Sequence, residues 1–219
     1  MFVIKVVSVI PAFNEEKRIR NVIKKTKKYV DYVVVVDDGS IDKTSEVARR
    51  SGAHVIVYEN NRGAGYATKL GIKKAILLKA NIIVFLDADG QLDPKYIPYF
   101  ISAIKSGADY VCGKRCLSKY PFNRKIGNWG LKVLTNMLCP TGIMDTECGY
   151  RALTIDAVKK LELKAQGYER EMDFVFNVWK NKFKVKQIEI EVPIYHPKAA
   201  IRRGFKNFFF LLKRRIGLI

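Results

Sequence analysis

Histidine is almost absent from this 219-residue chain: only His54 and His196 occur. The four cysteines, Cys112, Cys116, Cys139 and Cys148, contain no C-x-x-C pair. Together these shortages argue against a structural zinc site and against a disulfide framework, and they point to a reducing compartment. Long hydrophobic runs are missing too. No apolar stretch reaches the roughly 18 residues of a membrane span, and the longest candidate, residues 205–212, is broken by Lys206 and Asn207. Residues 1–10 are too short for a secretion signal and run straight into a strand pattern. No internal repeat, low-complexity linker or Walker A loop is present. Acidic residues are the last shortage: 21 Asp and Glu face 40 Lys and Arg, leaving a net charge of +19. Such a surface attracts anions, whether nucleic acid, anionic lipid or phosphorylated substrate.

What is present reads as one α/β domain. Apolar runs at residues 6–10, 32–36, 55–58 and 82–86 are continuous rather than alternating, as in strands buried on both faces of a parallel sheet. Helical segments follow each at residues 14–28, 42–51 and 64–79, and again at 94–106. This alternation predicts a doubly wound, mostly parallel sheet flanked by helices. Further on, a short strand is expected at 110–112, helices at 123–138 and 169–181, and a strand at 184–192. The expected division is a catalytic domain over 1–192 and a basic appendage over 193–219. In that appendage Phe205, Phe208, Phe209, Leu212 and Ile216 fall at helical spacing among Lys206, Lys213 and Arg214. The pattern suits either an amphipathic helix on anionic lipid or a helix docked on its own domain. The segment 123–138, with Trp129 central, is a second candidate interfacial element.

In doubly wound sheets, ligands bind beyond the carboxyl ends of the strands. Every chemically suggestive cluster of the first half falls there. Pro11-Ala12-Phe13-Asn14-Glu15-Glu16 follows the first strand and Asp37-Asp38-Gly39-Ser40 the second. A glycine-rich loop at 60–65 follows the third, and Asp87-Ala88-Asp89-Gly90-Gln91 the fourth. A turn at Gly90 lets Asp87 and Asp89 face one cation, with Gln91 adding an amide oxygen. Carboxylates suit a hard Mg²⁺ or Mn²⁺ whose remaining ligands are water and substrate phosphate. A metal there neutralises a diphosphate leaving group. Ser40 or Asp42 is expected to cap the following helix, leaving Asp37 and Asp38 for a nucleobase or ribose. The loop at 60–65 is no dinucleotide fingerprint, because its third glycine position is Thr68. It is expected to lie near a phosphate, with Arg62 or Lys69 supplying charge.

These clusters, in this order, resemble the motif series of family-2 glycosyltransferases, which have the GT-A fold. Lys114-Arg115, Arg124 and Asp145-Thr146-Glu147-Cys148-Gly149-Tyr150-Arg151 are similar to the polyprenyl (dolichyl) phosphate sugar synthases within that family. The resemblance covers about residues 6–192. It implies inverting, metal-dependent transfer of one sugar (glucose, mannose or N-acetylglucosamine) from a UDP- or GDP-sugar to dolichyl phosphate. By position it implies Pro11, Ala12, Asn14, Glu15, Asp37, Asp38, Asp87 and Ala88 around the nucleotide-sugar, and Asp87, Asp89 and Gln91 around Mg²⁺ or Mn²⁺. Asp89, Arg115, Arg124 and Arg151 are the expected catalytic group, and Arg115, Arg124 and Arg203 the expected holders of acceptor phosphate. Guanidinium groups suit that task, since they grip phosphate through two nitrogens. The implied setting is the cytoplasmic face of an anionic membrane, touched peripherally or through a membrane-anchor protein. A glycan or soluble acceptor is the alternative; the Q-x-x-R-W element of processive polymerases is absent. A nucleic-acid-binding module is disfavoured by the acidic clusters and by the lack of a basic-aromatic strand motif.

Overall fold

The computed structural model describes residues 4–116, 122–193 and 200–219, with residues 122–126, 128 and 200–205 described by their backbone only. The first half follows the strand–helix alternation of the sequence: β1 (Val6–Ala12), α1 (Ile19–Thr26), β2 (Tyr32–Asp37), α2 (Thr44–Arg50), β3 (His54–Val57), α3 (Ala64–Leu77) and β4 (Ile82–Phe85). The second half contains α4 (Ile97–Lys105), β5 (Tyr110–Arg115), α5 (Phe122–Leu138), β6 (Arg151–Thr154), α6 (Ile155–Lys159), α7 (Arg170–Lys180), β7 (Val185–Ile190) and α8 (Ala200–Arg215). The sequence reading misses β6 and α6. Four residues, Arg-Ala-Leu-Thr, are too short a run to show a period.

The strands form one seven-stranded sheet in the order β3-β2-β1-β4-β6-β5-β7. Only β6 runs antiparallel to its neighbours, β4 and β5; the pairs β1–β2, β1–β4, β2–β3 and β5–β7 are parallel. The chain builds outward from β1 to β3, then restarts on the other side of β1 with β4. A crevice therefore opens beyond the carboxyl ends of β1 and β4, where the strand order reverses.

Continuous apolar runs bury both faces of the sheet. Ile10, Val33, Val35, Val84 and Leu86 pack on one side with Ile19, Ile23, Ile97 and Phe100 of α1 and α4. Val7, Val9, Val34, Val36, Ile83 and Phe85 pack on the other with Ala67, Ile72, Met172 and Phe174 of α3 and α7. Burying a Val or Ile side chain contributes about 1.5–3 kcal/mol, so these strands hold the crevice loops on a rigid base.

The C-terminal helix α8 packs on α5 and α7. Its Asn207, Leu211 and Arg214 are buried. Arg214 pairs with the fully buried Asp173 of α7 at 3.1 Å and donates to the Glu162 carbonyl at 2.6 Å. Lys206 reaches Glu169, and Asn207 donates to Glu147. One face of the predicted amphipathic helix is thus docked on its own domain. The opposite face remains exposed, with Lys206, Phe209, Lys213 and Ile216 in one stripe. Among the described residues, no helix is long and apolar enough to cross a membrane.

Candidate active site

Two loops at the carboxyl edge are joined by side chain to backbone hydrogen bonds. Asn14 sits at φ 55°, a left-handed conformation that asparagine tolerates better than most residues. Its N–H donates to Ser40 Oγ at 2.9 Å, and its Oδ1 accepts from Ile41 N–H at 3.0 Å. The Glu15 and Glu16 amides donate to Thr44 Oγ1 and Asp42 Oδ2, and Glu16 Oε2 accepts from Lys43 N–H. Asp42 also accepts from the Thr44 amide at the start of α2. Neither expected residue is the N-cap of α2, which is Lys43 with no side-chain capping bond; Asp42 takes the Thr44 amide just inside the helix, and Ser40 serves Asn14. The sequence assigned Asn14 to the nucleotide-sugar, but its carboxamide oxygen is used between these loops.

Asp37 and Asp38 are both buried at the end of β2. Asp37 Oδ1 accepts from Ser40 N–H at 2.9 Å. Asp38 Oδ1 accepts from Tyr58 OH, Arg62 N–H and Gly63 N–H at 2.7, 2.7 and 3.2 Å. Asp38 therefore fastens the loop after β3, a task that competes with the nucleobase contact expected of it. The glycine between Asp38 and Ser40 has a steric reason. A Cβ on Gly39, at φ 74°, would lie 2.9 Å from Asn61 N and Glu59 O.

In and just after the 60–65 loop, expected to lie near a phosphate, four backbone amides are bonded within the protein. The Arg62 and Gly63 amides are held by Asp38, and the Gly65 and Tyr66 amides both donate to the Gln166 carbonyl. The Arg62 guanidinium lies 4.0 Å over the Tyr66 ring.

The carboxylate pair sits on the turn after β4. Ala88 between them is buried with the core, and Asp87 and Asp89 are partly exposed. Asp89 Oδ1 accepts from Gln91 N–H at 3.0 Å. Burial pushes the Asp89 carboxyl up, the nearby charges of Asp87 and Glu15 push it further, and the Gln91 amide and Arg18 oppose them. A site that makes a carboxylate costly to ionise, beside a second carboxylate, is one that a divalent cation would relieve. Among the described residues no group of three or more His, Cys, Asp or Glu stands ready to hold a metal. Two carboxylates alone fit a Mg²⁺ or Mn²⁺ that takes its other oxygens from phosphate and water. Gly149 gives Asp87 its room: a Cβ there would lie 2.5 Å from Asp87 Oδ2. Glu15 pairs with Arg18 on the rim, and Pro11 lines the small cavity behind Asp87 with Thr68, Gly149 and Arg170.

The arginines divide. Arg115 is held by Asp145 through Nε at 2.6 Å and Nη2 at 2.8 Å. Arg151, expected in the catalytic group, is only 2 % exposed. Its Nη2 donates to the Cys148 carbonyl at 2.7 Å and pairs with Glu171, and its guanidinium lies 4.2 Å over Phe174. Its place on a central strand turns it inward, so it supports the site from below rather than meeting an acceptor. The side chains of Arg124 and Arg203 lie outside the described residues. A residue the sequence did not single out completes the network. Arg170 joins Glu171 through Nε at 2.8 Å and Asp87 Oδ1 through Nη2 at 2.6 Å. The 83-position separation of Arg170 and Asp87 left no local signal of this contact.

The model of glycosyl transferase family 2 matches residues 8–162. An uncharacterised protein of Methanocaldococcus jannaschii is 38% identical over 95% of this chain and 91% of its own. The UDP-N-acetylglucosamine–dolichyl-phosphate N-acetylglucosaminyltransferase of Methanococcus voltae is 33% identical over 96% of both chains. Among solved structures, glucosyl-3-phosphoglycerate synthase from Mycobacterium tuberculosis with Mn²⁺, UDP and glucosyl-3-phosphoglycerate superposes with a TM-score of 0.75. That likeness has 21% identity, covers 97% of this chain and 80% of that one, and shows the shared GT-A fold. A mostly parallel sheet, a switch-point crevice and a carboxylate pair after β4 come together with the family match: this chain belongs to glycosyl transferase family 2.

Proposed function

We propose that the protein transfers a single sugar from a UDP- or GDP-sugar to a polyprenyl (dolichyl) phosphate, with inversion and with Mg²⁺ or Mn²⁺. The observation that carries the donor half is the Asp87–Asp89 pair beyond β4, at the switch point of the sheet. The acceptor half rests on the full-length likeness to the Methanococcus voltae enzyme. In this reading Asp87 and Asp89 hold the cation and Gln91 orients Asp89 through its amide. The bound metal supplies positive charge to the leaving diphosphate. Pro11, Ala12, Glu15 and Asp37 border the nucleoside. An acceptor phosphate oxygen forms the new bond to the anomeric carbon as the bond from that carbon to the nucleoside diphosphate breaks. A phosphate monoester is already anionic at neutral pH, so the protein needs to position it and screen its charge more than to remove a proton. Arg115 and Arg124 are the proposed holders, with Arg203 on α8.

The surface supports a peripheral membrane setting. The exposed stripe of α8 mixes Phe209 and Ile216 with Lys206 and Lys213, and Trp129, Leu134 and Met137 of α5 are exposed as well. Such a face suits peripheral contact with anionic lipid on the cytoplasmic side.

The test is an incubation of purified protein and Mn²⁺ with a panel of labelled UDP- and GDP-sugars and polyprenyl phosphate, followed by organic extraction. One donor should give an extractable sugar-phosphate lipid. Absence of product from every donor, with nucleotide binding intact, contradicts the acceptor assignment.

A further inference from the structure

Helix α7 opens with Arg170-Glu171, an order that helix electrostatics disfavours for the first residue. The N-terminus of a helix carries partial positive charge and prefers acids. Arg170 is also nearly buried, its side chain 10% exposed, and a buried guanidinium is costly unless its nitrogens are matched. Here they are matched from three elements. Nε donates to Glu171 Oε1 at 2.8 Å, Nη1 to Thr68 Oγ1 of α3 at 3.2 Å, and Nη2 to Asp87 Oδ1 at 2.6 Å. Glu171 is itself held by the buried Arg151. Asp87 is therefore fixed on one oxygen by a protein cation, while its other oxygen faces Gly149.

The charge count at the pair follows. Asp87 and Asp89 carry two negative charges, and Arg170 returns one positive charge to the same spot. A divalent cation approaching Asp87 meets a net charge of about −1 and the repulsion of a guanidinium already bonded to one of its ligands. A diphosphate supplies the missing negative charge.

We propose that Arg170 is a positioning residue of the donor site, which orients Asp87 and makes uptake of the divalent cation depend on the nucleoside diphosphate. The inference rests on the reading of Asp87 and Asp89 as the cation ligands. Its consequence is a coupling: Mn²⁺ alone binds weakly, and Mn²⁺ and nucleotide strengthen each other by one shared factor.

The full chain is titrated with Mn²⁺ alone and with Mn²⁺ in the presence of saturating UDP or GDP, by calorimetry or by the electron paramagnetic resonance of free Mn²⁺. In the unsubstituted protein, nucleotide should tighten Mn²⁺ at least about tenfold. In Arg170→Gln, Mn²⁺ alone should bind at least about tenfold tighter, and the strengthening by nucleotide should shrink by the same factor. Arg170→Lys keeps the charge but cannot span three partners, so it should keep the weak binding of Mn²⁺ alone and raise KM for the donor. A mere structural role would move stability without moving the coupling. The inference is overturned if Arg170→Gln binds Mn²⁺ alone as the unsubstituted protein does. It is overturned without any variant if the unsubstituted protein binds Mn²⁺ equally well with and without nucleotide. An unsubstituted protein that binds nucleotide but no Mn²⁺ under either condition sinks the metal reading itself, and the inference with it.

Discussion

Asp89 carries opposing demands. Burial and the charges of Asp87 and Glu15 raise its folded-state pKa above that of the unfolded chain. For a carboxylate shifted in this direction the folded state binds the proton more tightly. Folding is unpenalised below the ordinary carboxylate range, and the penalty is complete above the raised value. The ionised form of Asp89 therefore opposes folding. Asp89→Asn keeps an oxygen for the Gln91 amide and removes the charge. In metal-free buffer it should raise Tm by about 1–3 °C, and it should abolish the Tm increase that Mn²⁺ with nucleotide gives the unsubstituted protein. A lowered Tm in metal-free buffer would show that the carboxylate is stabilising. The pair was legible in the sequence because D-x-D follows a buried strand. Its chemical surroundings were not: Arg170 and Gly149 reach Asp87 from distant segments.

At the scale of elements, the loops do more to hold each other than the sequence suggests. Asn14 and Asp38 read as nucleotide contacts because they follow strands at the ligand edge. Asn14 joins the first two loops, and Asp38 Oδ1 gathers three donors from the loop after β3. Asp38→Ala should cost about 1–3 kcal/mol in chemical denaturation, since three partly exposed donors lose the charged acceptor they share. It should also weaken donor binding, because β2 and the loop after β3 no longer share a fixed geometry. A loss below about 0.5 kcal/mol would place the hold on that loop elsewhere. The first four strands and their helices were readable since each is a run of apolar residues, broken only by Ser8 in the first, with turn residues behind it. Strand β6 was not: its pairing with β4 and β5 is fixed by register across the sheet, and its Arg151 looks like a surface residue until Glu171 and Phe174 close around it.

For the whole molecule, the +19 charge and the two faces of α8 act together. One face is docked through Leu211 and Arg214, the other presents Phe209 and Ile216 beside Lys206 and Lys213. The sequence showed an amphipathic helix and left open which partner its apolar residues meet, because a docked face and a lipid face share the same period. With the outer stripe as a lipid contact, the protein should sediment with vesicles containing anionic lipid. Binding should weaken with rising salt as screening shortens the reach of the lysines. Phe209→Glu with Ile216→Glu should reduce it at least about tenfold at constant salt, with little change in Tm. Equal binding by the double variant would remove this face from the account.

The central claim is that the crevice beyond β1 and β4 is a nucleotide-sugar site organised by Asp87 and Asp89. Anomalous diffraction at the manganese edge, from crystals grown with Mn²⁺ and UDP or GDP, tests it most directly. The account predicts one strong peak about 2.2 Å from carboxylate oxygens of Asp87 and Asp89 and from diphosphate oxygens, with the nucleoside between the loops after β1 and β2. A nucleotide bound at another face, or a manganese peak away from both aspartates, would contradict it.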